Sequence, residues 1–233
     1  LLTIEPASDP GCAFAYGIWN TDGTPSGQCG NGLRCVARWL ARDAALADGT
    51  ARLQSPSGPV TVELLGNGDV RADMGEPRFA PADIPLRVDK HAFDEKHFRY
   101  TIDVIGEDVE IGAVSMGNPH AVVEVAAVVE APVAVLGPQI EHAAAFPEGC
   151  NVGFAELVSR GAIRLRVWER GVGETLACGS GACAAVALLR LRGKLDADVG
   201  VALPGGELII HWEGPGHTLW MTGAATFVFE GEW

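Results

Sequence analysis

The sequence predicts an α+β protein of two similar halves, each with many short strands and one principal helix. A Trp lies the same distance ahead of a Cys-Gly-x-Gly stretch twice, at Trp19 with Cys29 and at Trp168 with Cys178. A match of roughly fifty residues around these stretches indicates a duplicated chain. The 30 glycines among 233 residues approach twice the usual share of about 7% and favour tight turns between short strands.

Composition excludes several classes of protein. The hydrophobic content of 48% supplies a core, and the net charge of −13 argues against a nucleic-acid or anionic-membrane surface. No apolar run approaches the ~18 residues of a membrane span. The six cysteines include no Cys-x-x-Cys pair, and no secretory signal is visible, so we expect no disulfide framework, no metal site and a reducing cytoplasm. Because the chain opens without Met in a strand-like stretch, we also expect a fragment of a longer protein.

The first half predicts one amphipathic helix among short strands. From Asn31 onward, apolar residues recur at helical spacing, and arginines four apart mark a second face that we expect to point outward. The apolar positions are Leu33, Val36, Ala37 and Leu40, and the arginines are Arg34, Arg38 and Arg42. Asn67-Gly68 predicts a hairpin turn. The predicted strands are Leu1–Glu5, Cys12–Trp19, Ala51–Gln54, Val60–Leu65 and Val70–Met74.

The second half begins after a Pro-rich stretch at 76–85, which is the candidate domain boundary. A short helix is predicted at Val133–Glu141, although a Gly-Pro pair inside it weakens the pattern. An Ala/Leu-rich helix is predicted at Gly181–Arg192. Alternating or apolar runs predict nine strands. These are Phe98–Val104, Glu107–Val114, His120–Val125, Val152–Leu157, Ala162–Trp168, Val199–Leu203, Glu207–Trp212, Leu219–Met221 and Ala225–Glu230.

The two matched cysteines suit proton transfer. The thiolate is the reactive form of Cys, and a helix N-terminus lowers the thiol pKa because unpaired N–H groups and the helix dipole favour negative charge. The same N–H groups bind carboxylates. Cys29 and Cys178 each precede such a helix start, and the glycines beside them leave the backbone accessible. We therefore predict one sulfur on each side of an α-carbon, so that one removes the α-proton and the other returns a proton from the opposite face.

A structural interpretation competes with this one. Free Cys is usually buried as a small apolar residue, and for a single such Cys we would favour packing over chemistry. Two cysteines at matched places in a duplicated chain reverse that preference. The remaining cysteines lack the matched setting and are interpreted as structural; they are Cys12, Cys35, Cys150 and Cys183.

Specific motifs surround both cysteines. Residues Gln28–Cys35 read QCGNGLRC, and residues Glu169–Ala182 read ERGVGETLACGSGA. In these motifs the chain resembles the diaminopimelate epimerase family. Three further stretches are similar to other motifs of that family, and the resemblance runs over essentially the whole chain. They are Gly117–His120, Asn151–Phe154 and Leu203–Gly206.

This resemblance implies a fold and an activity. The implied fold is a pseudo-symmetric pair of α/β domains, each a curled mixed sheet around a central helix, with the last strand returning to the first domain. The implied domains are 1–77 joined by 224–233, and 78–223. The implied activity is a cofactor-free interconversion of L,L- and meso-diaminopimelate by a thiol/thiolate pair, in a homodimer.

The resemblance also implies a set of site residues. Cys29 and Cys178 would be the catalytic pair, and the helix starts that follow them would hold the reacting α-carboxylate. A guanidinium with amide donors would clamp the distal carboxylate, and a carboxylate would face an ammonium group at the distal or the reacting end. The implied residues are Gly30, Asn31, Gly179 and Ser180 for the α-carboxylate; Asn20, Asn151 and Arg170 for the distal carboxylate; Glu169 for the ammonium; Asn118 as a further contact; and His120 in support.

Other interpretations stay open. Taken alone, Asn20 and Asn118 are typical of turns, His120 of a semi-buried structural histidine, and Glu169-Arg170 of a solvated pair. Proline-racemase-like enzymes of the same fold also use two cysteines, but Arg170 favours a substrate with a distal carboxylate. Phenazine-biosynthesis-type isomerases lack the cysteine pair. A dithiol redox sensor and a non-catalytic amino-acid-binding protein are alternatives from other functional classes.

Overall fold

The computed structural model of the chain describes residues 1–19, 23–24, 30–42, 49–87, 93–94 and 98–232. The chain divides into two compact units, Leu1–Met74 with Trp220–Trp233, and Gly75–Leu219. The bounds implied by the resemblance, 1–77 with 224–233 and 78–223, differ from these units by a few residues. Across the described ranges, no helix is long and apolar enough to cross a membrane.

In its described residues, the first unit is a mixed sheet with one helix packed on it. Its described strands lie side by side in the order β1 (Leu2–Glu5), β2 (Phe14–Ile18), β3 (Thr50–Ser55), β4 (Gly58–Leu64), β5 (Val70–Asp73) and β15 (Trp220–Gly223). The pair β2–β3 is parallel, and the other neighbours are antiparallel. The turn between β4 and β5 contains the predicted Asn67-Gly68 pair, with Gly68 at φ +89° and its N–H donating to the Leu65 carbonyl.

Helix α1 (Gly30–Arg42) packs against β4 and β5 with the predicted apolar face. Arg34 corrects the prediction that the arginines point outward, because it is only 8% exposed. Its guanidinium donates to the carbonyl oxygens of Gly30 and Ala224, both at 3.4 Å. The physical reason is that the segment after β15 runs past this part of the helix and presents a backbone acceptor there.

The second unit is a longer mixed sheet. Among the described residues, its strands lie in the order β14 (Gly206–His211), β13 (Asp198–Leu203), β11 (Ala162–Glu169), β10 (Asn151–Ser159), β9 (Pro119–Val125), β8 (Glu107–Ser115), β7 (Arg99–Val104) and β6 (Phe93–Asp94), while β12 (Gly173–Thr175) pairs with the end of β11. The pairs β9–β10 and β11–β13 are parallel. The remaining neighbours in this order are antiparallel.

Among the described residues of this unit, two α-helices cover the sheet. Helix α3 (Gly179–Leu191) packs against β8, β9, β10 and β14, and every residue from Ala182 to Leu189 is 0% exposed. A helix that is apolar all round is typical of a central, fully buried position. Helix α2 (Val133–Glu141) forms where predicted, with Gly137 and Pro138 inside it, and packs against β10, β11 and β12. The α+β class and the curled mixed sheets with few helices are therefore confirmed.

The strand prediction for Ala225–Glu230 is wrong, since no strand forms there after β15. Phe227, Val228 and Phe229 are 44%, 87% and 79% exposed. An apolar run becomes a strand only where a neighbouring strand offers backbone partners, and this run pairs with none of the described strands. The short strands β6 and β12 were not predicted; each has three or fewer residues, too few to show an alternating pattern.

Candidate active site

Cys178 lies where the chain enters the buried helix α3. It is the N-cap residue, with an extended backbone at φ −125° and ψ 109°, and it is 6% exposed. Its Sγ lies 3.6 Å from the Ser180 hydroxyl oxygen. A Cβ added to Gly181 would lie 3.3 Å from this sulfur and 3.1 Å from Val167 Cγ2. The glycine after Ser180 therefore leaves room for the thiol against the first turn of the helix.

The environment keeps Cys178 protonated. Burial raises the pKa of this thiol to about 12, with a further raising effect from the Glu169 charge, while hydrogen bonds from Ser180 and the Gly181 backbone lower it. The sequence predicts that the helix start lowers this pKa. The Gly181 N–H at the helix start does lower the pKa. The desolvation of the buried thiolate raises the pKa by more. At neutral pH the resting group is thus a thiol.

Glu169 stands beside this thiol at the end of β11. The strand turns back at once into β12, with Glu169 paired to Gly173, and Gly171 and Gly173 adopt φ values of +73° and +106° that favour glycine. The Thr175 hydroxyl donates a short hydrogen bond to Glu169 Oε1. Thr175 belongs to the site although no role was predicted for it; its only sequence signal was its place in the ERGVGET run. The hairpin therefore holds a carboxylate next to Cys178.

Arg170 follows in the same turn and is anchored by main-chain and side-chain contacts. Its N–H donates to Asn151 Oδ1 at 3.0 Å, and its guanidinium donates to the Glu148 carbonyl at 3.0 Å. Asn151 is 5% exposed, and its Nδ2 donates to the Pro119 carbonyl at 3.1 Å. The Asn151 amide thus supports the turn, and it has one further N–H with which to meet a ligand.

His120 lies next to Asn151 and contacts Asn118. His120 lies opposite Asn151 in the parallel pair β9–β10, is 1% exposed, and places Nε2 at 3.0 Å from Asn118 Oδ1. Burial and the Arg170 charge lower its pKa to about 3, so the ring is neutral. Because an amide oxygen accepts, Nε2 carries the proton, and Nδ1 meets no hydrogen-bond partner among the described residues.

The predicted residues of the first unit are described only in part. Cys29 and Asn20 lie outside the described residues. Gly30 and Asn31 begin α1, as Gly179 and Ser180 begin α3. A Cβ on Gly30 would lie 2.6 Å from Met221 Cε, so this helix start is closely packed, and a larger residue there would have to displace the flexible end of the Met221 side chain.

The remaining cysteines differ in their exposure. Cys12, Cys150 and Cys183 are buried, as a structural role predicts, whereas Cys35 is exposed. Burial raises the pKa of Cys150 far above its usual range. Within the part of the chain that the structure describes, no group of three His, Cys, Asp or Glu side chains is arranged to hold a metal ion.

Comparison with known proteins relates the whole chain to one family. A sequence model described as "Diaminopimelate epimerase" matches residues 2–80 and 112–228. A protein of that name from Xanthomonas axonopodis pv. citri (strain 306) is 53% identical over 233 residues, which is 100% of this chain and 81% of that protein. Another, from Stutzerimonas stutzeri (strain A1501), is 46% identical over 232 residues, covering 100% of this chain and 82% of the relative.

Solved structures agree on the fold. A hydroxyproline epimerase from Agrobacterium vitis, with bound trans-4-hydroxy-L-proline, superposes with a TM-score of 0.67 at 17% identity, covering 96% of this chain and 72% of its own. A probable proline racemase from Agrobacterium radiobacter K84 gives a TM-score of 0.66 at 18% identity, covering 97% and 75%. At such identities the likeness establishes the architecture alone.

Proposed function

Because the chain belongs to the diaminopimelate epimerase family, we propose that it interconverts L,L- and meso-diaminopimelate by proton transfer at one α-carbon. The observation that carries this proposal is the Cys178 thiol at the start of α3 with the Glu169 carboxylate beside it. A buried thiol needs a base before it can remove a proton, and Glu169 is that base. Glu169 therefore acts at the reacting end of the substrate.

The two cysteines exchange roles in each turnover. Glu169 accepts the Cys178 proton, the resulting thiolate removes the α-proton, and the Cys29 thiol gives its own proton to the opposite face of the same carbon. Cys178 ends as a thiol, Cys29 as a thiolate and Glu169 with the proton that it accepted, so the reverse reaction starts from Cys29. Loss of the Glu169 proton to solvent and uptake of a proton by Cys29 restore the starting state. The N–H groups at the start of α3 meet the α-carboxylate and stabilise the charge that develops on it as the C–H bond breaks.

Arg170 binds the far end of the substrate. Its guanidinium is anchored at one nitrogen by the Glu148 carbonyl and presents its other N–H groups to the distal carboxylate. Asn151, Asn20 and Asn118 supply further polar contacts in this proposal. A clamp of this kind distinguishes diaminopimelate from amino acids that end in an apolar side chain, because an apolar end offers the Arg170 guanidinium no acceptor.

The setting of the enzyme is also part of the proposal. In the two-thiol route one protein group removes a proton and the other supplies one, and the reaction therefore runs without a cofactor. We propose a homodimer working in the cytoplasm, where reducing conditions keep both cysteines as thiols.

Proton exchange tests the proposal directly. The protein is incubated under reducing conditions with L,L-diaminopimelate in D2O, and the α-H signal is followed by NMR for wild type, Cys29→Ala and Cys178→Ala. We expect deuterium to enter with conversion to the meso form, and both single variants to lose epimerisation. Absence of exchange in the wild type, with binding retained, would instead leave a non-catalytic binding protein.

A further inference from the structure

The end of helix α2 holds a buried carboxylate with no role in the chemistry above. Glu141 is the last residue of α2 and is 5% exposed. A carboxylate at a helix C-terminus faces the partial negative charge of the last carbonyl groups. Burying it also costs free energy unless it is hydrogen-bonded. Glu141 is therefore unfavourable in this place unless strong donors meet both of its oxygens.

Both oxygens meet such donors, and the donors flank the Arg170 turn. The Trp168 indole Nε1 donates to Glu141 Oε2 at 2.7 Å, and the Gly171 N–H donates to Oε1 at 2.8 Å. Trp168 lies two residues before Arg170 in the chain, and Gly171 directly follows it. One carboxylate thus fixes the chain on both sides of the arginine.

Helix α2 is shaped to bring this carboxylate to the turn. A Cβ on Gly137 would lie 2.7 Å from Trp168 Cγ and 2.8 Å from its Cβ. Only glycine allows the indole to lie so close to the helix, one turn before Glu141. The indole and the helix end form a single packed unit, in which Trp168 cannot move without moving Glu141.

The anchors on the Arg170 turn are complementary. Asn151 holds the Arg170 N–H, Glu148 holds its guanidinium, and Glu141 holds the next N–H, that of Gly171. We propose that Glu141 is a positioning residue that orients Arg170 toward the distal carboxylate of the substrate. This inference rests on the proposed function, and it adds the α2 end to the determinants of substrate recognition. Glu141 acts through Arg170 and does not itself touch the substrate.

The substitution Glu141→Gln removes one of the two acceptors with little change in size. A glutamine offers one carbonyl oxygen, so its NH2 group faces one of the two donors. A hydrogen bond to a charged group is lost, and we expect the Kd and KM for diaminopimelate to rise about tenfold. The turnover number should change less, because Arg170 binds a group remote from the reacting carbon.

Glu156→Gln is the matched control. Glu156 also accepts a backbone N–H, that of Val128 at 2.8 Å, and an Arg164 contact at 2.6 Å, and its side chain is 15% exposed. It lies five residues along β10 from Asn151, about 16 Å at ~3.3 Å per residue. This control should lose stability in the same way as Glu141→Gln while its Kd for diaminopimelate stays within twofold of wild type.

A double-mutant cycle with Arg170→Ala separates positioning from general structural support. For wild type, both single variants and the double variant, Kd is measured by calorimetry and KM by steady-state kinetics. Thermal unfolding is measured for each. We expect Glu141→Gln to have no further effect once Arg170 is removed, because coupled residues are not additive. If the Gln variant aggregates, Glu141→Asp, which keeps the charge but retracts the oxygens, takes its place in the same cycle.

The outcomes distinguish the inference from the function on which it rests. An unchanged Kd in Glu141→Gln, or the same tenfold loss with and without Arg170, would overturn the positioning role. Wild-type binding without turnover would remove the epimerase proposal, yet the Kd cycle would still report on Glu141. Failure of the wild type to bind diaminopimelate would remove both.

Discussion

Replacing Gly149 with Ala tests whether the position of the Arg170 side chain determines substrate affinity. Gly149 adopts φ +68°, and a Cβ there would lie 3.1 Å from Arg170 Cδ and 3.4 Å from Cγ. The arginine stem must therefore give way by a few tenths of an ångström. The residue before Gly149 is Glu148, whose carbonyl accepts the Arg170 guanidinium, so the substitution acts on both ends of this contact.

Two separate effects follow from Gly149→Ala. The left-handed backbone costs an L-residue about 1–2 kcal/mol, which lowers the free energy of unfolding. The displaced guanidinium loses part of a charged hydrogen bond to the substrate, worth about 1.5–3 kcal/mol when complete. If about half of this hydrogen-bond free energy is lost, the KM for diaminopimelate is expected to be roughly 3- to 10-fold higher. Coupled epimerase assays give KM, and urea unfolding gives the stability change.

Gly216→Ala separates these effects. Gly216 adopts φ +83° and a Cβ there would meet nothing within 4 Å, so it incurs the same backbone cost with no neighbour to displace. We expect Gly216→Ala to lose similar stability and keep the wild-type KM. Equal KM values in the two variants would refute the reasoning that the Arg170 side chain binds the distal carboxylate in the position seen here.

Two further predictions concern titrating groups. Since the Glu169 charge raises the pKa of Cys178, Glu169→Gln should speed alkylation of Cys178 at pH 8 while lowering kcat. Peptide mass spectrometry measures the rate of alkylation, and slower alkylation than in wild type would contradict the proposed contact between Glu169 and Cys178. The pKa of His120 is lowered from 6.5 to about 3 in the folded state. The contribution of His120 to the free energy of unfolding is therefore complete above pH 6.5 and is lost as the pH falls toward 3. The loss at pH 5 is about 2 kcal/mol. In His120→Gln, urea unfolding at pH 8 and pH 5 should show a smaller difference than in wild type, and an equal difference would speak against a buried neutral histidine.

Much of the local structure was predictable because local patterns report it. The sequence of helix α1 has apolar residues at helical spacing, and the sequence of helix α3 has a long Ala/Leu-rich run, which is typical of a buried helix. The Asn67-Gly68 turn followed from backbone preferences. The predicted strand at Ala225–Glu230 failed for the converse reason: pairing depends on a neighbour that the local pattern does not reveal.

The sequence predicted many residues of the candidate site, but not the protonation state of Cys178 or the contacts that form on folding. The motifs around Cys178 named Glu169, Arg170 and Ser180 by position. The structure places Glu169 and Ser180 beside the Cys178 thiol, and it holds Arg170 through Asn151 and Glu148. Thr175 and Glu141 were missed. A lone threonine or glutamate in a sequence carries no sign of the partner that it will meet after folding.

By itself, the sequence determined the two repeated Cys-Gly-x-Gly stretches and the helix that follows Cys178, because duplication, spacing and glycine placement are properties of residue order. Only the tertiary structure decided the protonation state of Cys178, the burial of Arg34 and the hydrogen bonds between Glu141 and the Arg170 turn. Desolvation and hydrogen bonding between distant segments exist only once the chain is packed. The same Glu141 that would be an unremarkable surface residue at the end of an isolated helix becomes, in the fold, a buried acceptor for two donors.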